Sequence, residues 1–253
     1  MNLGLEGSRA VVTGAARGIG RGIADALLAA GAATVVGVDR DWADLSAGFE
    51  RDGGIAVAAD LGSGGGRELG ERLLAEHGPL DRIVNNVGIT TPDSFRDLGE
   101  RAFDEVMATN LRTPLFLTQR LTEELIARGE RGAVLFTGSL HSRINNGQPH
   151  YGASKAAITA LARELAAGLA PHRIRVNVLS PGWVASGEVA RADNDYTRAF
   201  DALIPLGRRG SPADIAPVAL ALLSDAVSGY VTGADVPVDG GLGLHSFLDD
   251  LPG

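Results

Sequence analysis

The chain has 253 residues and a formal net charge of -8 at neutral pH, enough length for one well-buried α/β domain and the wrong sign for a nucleic-acid partner. It contains no cysteine, which excludes disulfides, thiolate metal sites and thiol nucleophiles together; the remaining side chains show no metal-binding spacing, so no metal is expected. Leu3 to Arg9 lead straight into apolar Ala10-Val11-Val12, and no apolar run approaches the roughly 20 residues of a membrane helix, so a soluble, unprocessed, cytoplasmic protein without a membrane partner is expected.

Short β-branched runs alternate with longer alanine- and leucine-rich segments, the pattern of βαβ units around a parallel sheet. The first predicted strand, Arg9 to Thr13, meets Gly14, Gly18 and Gly20 and then a helix from Ile19 to Ala30. Strands follow from Thr34 to Asp39 and from Ile55 to Ala59, the latter running into Asp60-Leu61 and the turn Gly64-Gly65-Gly66. A helix from Arg67 to His77 precedes a strand from Arg82 to Asn85, and a long helical stretch covers Glu100 to Arg128. Beyond a strand from Ala133 to Thr137 and a polar loop comes a helix from Tyr151 to Ala170, then a strand from Arg175 to Leu179. Residues 184–210 are the least regular segment and fit a mobile, lid-like excursion. A helix from Pro212 to Ser224 and a strand from Asp235 to Val238 complete a single domain over 1–253, a doubly wound, seven-stranded parallel sheet flanked by helices.

Three glycines between a strand and a helix let the backbone approach a pyrophosphate, whose charge the helix N-terminus attracts. Such a turn also occurs as plain structure and in adenosylmethionine sites. Asp39 lies about 20 residues past the glycines, where an acidic side chain can accept both ribose hydroxyls of a dinucleotide; a helix cap is the alternative. Tyr151 and Lys155 are four positions apart, so a helix puts both on one face and the ammonium can favour the phenolate. Moving a phenol from a pKa of about 10 to near 7 takes roughly 4 kcal/mol, much of which one close cation supplies. Ser139 then donates to the same substrate oxygen that Tyr151 protonates or deprotonates. The combination reads as hydride-transfer chemistry.

Thr13-Gly14-x-x-x-Gly18-x-Gly20, Asn85-Asn86-x-Gly88, Asn110, Ser139, Tyr151-x-x-x-Lys155, Asn177-x-x-x-Pro181-Gly182 and Val238-Asp239-Gly240-Gly241 occur in one order along the chain. Over nearly its full length, this pattern resembles the short-chain dehydrogenase/reductase family. The resemblance implies a Rossmann-type fold and a tetrad of Asn110, Ser139, Tyr151 and Lys155 around a nicotinamide, with Tyr151 as acid-base and Lys155 also bonding the nicotinamide ribose. Cofactor contacts are implied for Gly14, Arg17, Gly18, Ile19, Gly20, Asp39, Arg40, Asp60, Leu61, Asn86 and Gly88, and beside the nicotinamide for Pro181, Gly182, Val184 and Ser186. Asn86 is expected on the adenosine side. NAD is expected over NADP because Asp39 would face a 2′-phosphate, while Arg17 and Arg40 leave NADP possible. Two features depart from the family pattern: Val87 replaces the usual alanine, and the Ser139 to Tyr151 spacing of twelve is one short.

The loop from Leu140 to His150 is rich in hydrogen-bonding groups, which points to an oxidoreductase acting on a small polar secondary alcohol or ketone, such as a sugar, polyol or hydroxy compound. His141, Asn145, His150 and Trp183 are the candidate substrate contacts, Trp183 by stacking. One alternative is a reductase of 3-oxoacyl thioesters, with Arg128, Arg131, Arg173 and Arg175 facing an acidic carrier protein; another is a dinucleotide-binding protein without turnover. The helix from Tyr151 is apolar or small nearly all round and is expected to be buried on several sides, one of them against a partner subunit of a homotetramer or homodimer. Leu242, Leu244, Phe247, Leu248 and Leu251 of the tail could cap a neighbour. Pro114, four residues after Asn110, has no N–H for the Asn110 carbonyl, which leaves that oxygen to a water relay or to a kink.

Overall fold

The computed structural model describes residues 3–42, 45–63, 65–185 and 192–244. Its strands are β1 (Arg9–Thr13), β2 (Thr34–Asp39), β3 (Ile55–Ala58), β4 (Arg82–Asn85), β5 (Gly132–Thr137), β6 (Ile174–Pro181) and β7 (Asp235–Val238). All pair in parallel, in the order β3-β2-β1-β4-β5-β6-β7. The order reverses beside β1, between its neighbours β2 and β4, so the strand ends there open a crevice of the kind in which doubly wound sheets bind ligands.

The helices are α1 (Gly18–Ala29), α2 (Ser46–Arg51), α3 (Gly66–His77), α4 (Glu100–Met107), α5 (Thr113–Arg128), α6 (Pro149–Leu169), α7 (Asp195–Ala202), α8 (Pro212–Leu223) and α9 (Asp225–Ser228). Because side chains alternate along a strand, Ala10 and Val12 of β1 face one layer and Val11 the other. The first layer packs Ile23, Ala24 and Leu27 of α1 with Ile215, Ala219 and Leu223 of α8. The second packs Leu69 and Leu73 of α3, Leu117, Leu121 and Leu125 of α5, and Ile158, Ala162 and Ala166 of α6. No helix among the described residues is long and apolar enough to cross a membrane.

Several predicted elements need correction. The stretch from Glu100 to Arg128 is not one helix: a π-helical turn, Ala108–Arg112, separates α4 from α5. Thr113 N–H reaches back five residues to the Ala108 carbonyl, and Pro114 follows in the first turn of α5, where its missing N–H costs little. Asn110 therefore lies inside a widened turn rather than in a kinked regular helix. Within 184–210 the chain forms α7, begun by Asn194 and Thr197 bonding each other's backbone N–H, in a segment expected to be irregular. Helix α6 begins at Pro149, two residues early, and within this chain it buries a single stripe: His150, Ser154, Lys155, Ile158, Ala162 and Ala166. Ser186, Glu188 and Arg191 of the expected excursion, and Phe247, Leu248 and Leu251 of the tail, lie outside the described residues.

Helices α3 and α5 approach so closely that a Cβ at Gly66 would stand 2.3 Å from the Thr113 carbonyl oxygen and 2.9 Å from Leu117 N. Helix propensity alone would make Gly66→Ala stabilising by up to about 1 kcal/mol. The contact reverses the sign, and a loss of about 1–3 kcal/mol is expected in chemical denaturation. A variant as stable as the wild type would contradict this close approach.

Candidate active site

At the end of β1 the chain turns through Gly14 (φ 68°) and Gly18 (φ 63°), in the left-handed region that glycine adopts freely. A Cβ on Gly20 would lie 2.1 Å from the Gly14 carbonyl oxygen, and one on Gly14 would lie 2.9 Å from Asn86 Nδ2. Only glycines build this cradle. Ile19 lies in the first turn of α1, and Arg17 at its N-cap is exposed, 3.8 Å from Asp41. The Asp39 carboxylate accepts from the backbone N–H of Ala16 (3.0 Å) and of Asp41 (3.3 Å), so it stands against the glycine turn and caps no helix. Arg40 is exposed; Asp60 accepts from Gly62 N–H at 2.9 Å, and Leu61 is buried.

A cleft of about 860 Å³ opens beside this turn, lined by Arg17, Asp39, Arg40, Asp60, Leu61 and Val87, and across it by Arg101, Asp104 and Glu105 of α4. The α4 residues were missed by sequence reasoning. Their signal was an i, i+3, i+4 spacing on a helix facing the strand ends. The cradle, the cleft and the adjacent carboxylate fit a dinucleotide.

Asn86 does not simply line the adenosine side. Its Nδ2 donates to the carbonyls of Thr13 (3.0 Å) and Gly14 (3.4 Å), while its Oδ1 accepts from Thr137 Oγ1 (3.3 Å). Thr13 Oγ1 in turn accepts from Asn86 N–H and Val87 N–H at 2.9 and 3.1 Å. These bonds join the ends of β1, β4 and β5.

Ser139 starts a short 3₁₀ turn, Leu140–Ser142, directly after β5, and its hydroxyl hydrogen-bonds the Tyr151 phenol. Lys155 stands one turn beyond Tyr151 on α6, its Nζ 5.7 Å from the centre of the phenol ring and donating to the Thr137 carbonyl at 2.8 Å. Gly88 leaves room for that amine: a Cβ there would be 3.1 Å from Nζ and 3.6 Å from Asn110 Oδ1. Asn110 clamps Ile89 from both sides, accepting its N–H (2.8 Å) and donating to its carbonyl (2.9 Å). It also donates to Ser154 Oγ (3.0 Å), which donates to the Tyr151 carbonyl (2.8 Å). Ser154, also missed, lies at the i+3 position from Tyr151.

Burial pushes the Tyr151 phenol above its ordinary value, against the lowering effect of the Ser139 hydrogen bond. It pulls Lys155 down to about 8. The expected lowering of the phenol by Lys155 is thus not what this structure carries, because desolvation penalises both charged forms and the amine lies over the ring.

The remaining candidates divide. Pro181 ends β6, and Gly182 passes so near Asp239 that a Cβ would lie 2.6 Å from the Asp239 Cβ. Val184 is buried and bridges Gly210, so the excursion leaves and returns at one point. Ser186 lies outside the described residues. His141 is beside the site, its ring edge-on to Tyr151 at 6.0 Å and its pKa lowered by burial. His150 is buried and paired through Nε2 with Thr91 Oγ1 (2.9 Å), which fits a core histidine rather than a substrate contact. Asn145 accepts from Gly147 N–H within the exposed loop. Trp183 stacks on Phe200 of α7, with ring centres 4.3 Å apart, so that face is closed to a substrate. Among the described residues, no group of three or more His, Asp or Glu side chains is placed to hold a metal ion.

The chain is similar to known dehydrogenases and reductases over nearly its whole length. The family model described as enoyl-(acyl carrier protein) reductase matches residues 14–243. L-Xylulose reductase of Bos taurus is 38% identical over 245 residues, covering 95% of this chain and 98% of that protein. The (3R)-3-hydroxyacyl-CoA dehydrogenase of Mus musculus is 35% identical over 255 residues, with the same coverage of 95% and 98%. Among solved structures, a short-chain type dehydrogenase/reductase from Mycobacterium marinum superposes with a TM-score of 0.86 at 32% identity, over 95% of this chain and 97% of that one. The RhlG/NADP active-site complex of Pseudomonas aeruginosa gives 0.87 at 34% identity, over 96% and 98%.

Folded Lys155 loses its proton near 8 and the unfolded side chain near 10.5, so between these values the unfolded chain binds more protons and stability rises with pH. The burial penalty is fully present below about pH 8, amounts to roughly 3 kcal/mol, and is relieved as pH approaches 10.5. Lys155→Met should therefore gain most over the wild type at neutral pH, with the difference shrinking as pH rises. A pH-independent difference in urea unfolding would contradict the buried cation.

Proposed function

Since this chain belongs to the short-chain dehydrogenase/reductase family, we propose that it interconverts a secondary alcohol and a ketone on a small polar substrate, a sugar, polyol or hydroxy compound, with NAD(H) favoured over NADP(H). The observation that carries this reading is the half-buried Tyr151, its phenol hydrogen-bonded to the Ser139 hydroxyl with the Lys155 amine behind it, beside the glycine cradle. When bound, the nicotinamide supplies or accepts the hydride. Tyr151 holds the proton that the carbonyl oxygen gains on reduction and takes it back on oxidation. Ser139 Oγ donates to that oxygen and stabilises the charge it develops. Lys155, charged below about 8 and behind the ring, offsets only part of the desolvation that penalises the phenolate left after proton transfer.

The cleft supports NAD by its charge. Arg17, Arg40 and Arg101 line it against Asp39, Asp41, Asp60, Asp104 and Glu105, three cations facing five carboxylates. A 2′-phosphate would add negative charge to an already negative lining, and two unit charges about 4 Å apart repel by roughly 4 kcal/mol at an effective dielectric of 20. The sugar reading draws on the L-xylulose reductases and on the polar loop after Ser139. The thioester reading draws on the (3R)-3-hydroxyacyl-CoA dehydrogenases, but most of the arginines proposed for it are engaged elsewhere. Arg128 pairs with Glu124 (2.7 Å), Arg175 with Asp225 (2.9 Å), and Arg173 donates to the Gly129 carbonyl (2.6 Å). The proposal extends to a cytoplasmic homotetramer or homodimer, for which the exposed alanines Ala153, Ala156 and Ala160 on α6 offer a small-residue face.

The test is reduction of L-xylulose and of a 3-oxoacyl thioester with NADH and with NADPH, followed by nicotinamide absorbance. Tyr151→Phe should keep cofactor affinity and lose at least about 100-fold in turnover, the scale of a lost general acid. Near-full activity in that variant would overturn the mechanism. Asp39→Ala should shift preference toward NADPH, and wild-type efficiency already favouring NADPH would overturn the cofactor assignment.

A further inference from the structure

One buried charge near the site has no part in the chemistry above. Asp235, the first residue of β7, has a side chain only 10% exposed. Its Oδ1 accepts from Ser180 Oγ at 2.6 Å, and its Oδ2 from Arg143 Nη2 at 2.7 Å. Thr159 Oγ1 lies 3.5 Å from the same Oδ2 and 3.3 Å from the Lys155 carbonyl.

Each of these partners belongs to an element that carries a reacting or binding residue. Ser180 precedes Pro181 at the end of β6, and Thr159 stands one turn after Lys155 on α6. Arg143 ends the turn that Ser139 begins. That turn is tight: Ser142 Oγ donates to the Ser139 carbonyl (2.8 Å), and Arg143 N–H donates to the Leu140 carbonyl (2.9 Å). On the other side of Ser139, Gly138 packs on Ser180 so closely that a Cβ would lie 2.5 Å from Ser180 Oγ. Ser139 is therefore flanked by Arg143 and by Gly138 on Ser180, and one carboxylate holds both flanking partners.

We propose that Asp235 is a positioning residue for Ser139, fixing through Arg143 and Ser180 the hydroxyl that meets the substrate oxygen. The inference rests on the oxidoreductase reading above. A charge-assisted bond to a buried carboxylate is short and directional, which suits an anchor. A hydrogen-bond donor displaced by about 1 Å from a developing oxyanion can cost up to 100-fold in rate, so an anchor of this kind is visible in kcat.

A double-mutant cycle separates positioning from general support. Wild type, Ser139→Ala, Asp235→Ala and the double variant are compared with L-xylulose and the better of NADH and NADPH. Asp235→Ala should lower kcat by about tenfold or more while the KM for the cofactor stays within about twofold, because the anchor acts on one hydroxyl. In the Ser139→Ala background the same change should cost nothing further, since the group it positions is gone. Arg143→Lys should retain more of kcat than Arg143→Met. If Asp235→Ala does not fold, Asp235→Asn, which keeps the shape and loses the charge, completes the same cycle. Losses that multiply in the double variant, or an unchanged kcat in the single one, would overturn the inference alone. A wild type inactive toward both the sugar and the thioester would overturn the oxidoreductase reading and this inference with it.

Discussion

Burial of the Lys155 amine is the constraint around which the rest of the site is arranged. At neutral pH it costs roughly 3 kcal/mol, a large share of the stability typical of a domain, and only groups already fixed in place can offset it. The Thr137 carbonyl receives the amine at the end of β5, and Gly88 gives it space. The two-way clamp of Asn110 on Ile89 holds Gly88 there, and its bond to Ser154 ties that loop to the helix bearing both Tyr151 and Lys155. The π-helical turn gives Asn110 its place in this arrangement, between two helices that could not otherwise run on through Pro114.

The same frame links the glycine cradle to the Lys155 amine. Asn86 links the carbonyls of Thr13 and Gly14 in the glycine cradle to the hydroxyl of Thr137, whose carbonyl holds Lys155. A shift of the cradle is therefore felt at the amine through two side chains. Parallel strands make this possible, because all their C-terminal ends open on one edge of the sheet.

Much of this was legible in the sequence. Strand positions followed from β-branched runs, and the glycine turn, Asp39 and the Ser139, Tyr151 and Lys155 set followed from spacing within or beside those elements. What escaped notice depends on partners far apart in the chain. His150 looked available because Thr91, its partner, is 59 residues away, and Trp183 looked like a substrate platform because Phe200 belongs to a helix with only eight residues of its own. Asn86 reads as a ligand contact alone, whereas its amide also ties the ends of β1 and β5 to the end of β4. The direction of the Tyr151 shift was misjudged for the same reason: a cation four residues away is a local feature, whereas desolvation is set by everything packed around the ring.

That burial, and not the cation one turn away, sets the ionisation of Tyr151 is open to one direct measurement. The chain has three tyrosines, and Tyr196 and Tyr230 are exposed, so ultraviolet difference titration of wild type against Tyr151→Phe isolates the Tyr151 phenol. Ionisation of Tyr151 in the free protein should lie above the ordinary phenol value of about 10. A phenolate signal that appears well below that value, and is lost with Tyr151→Phe, would contradict the account.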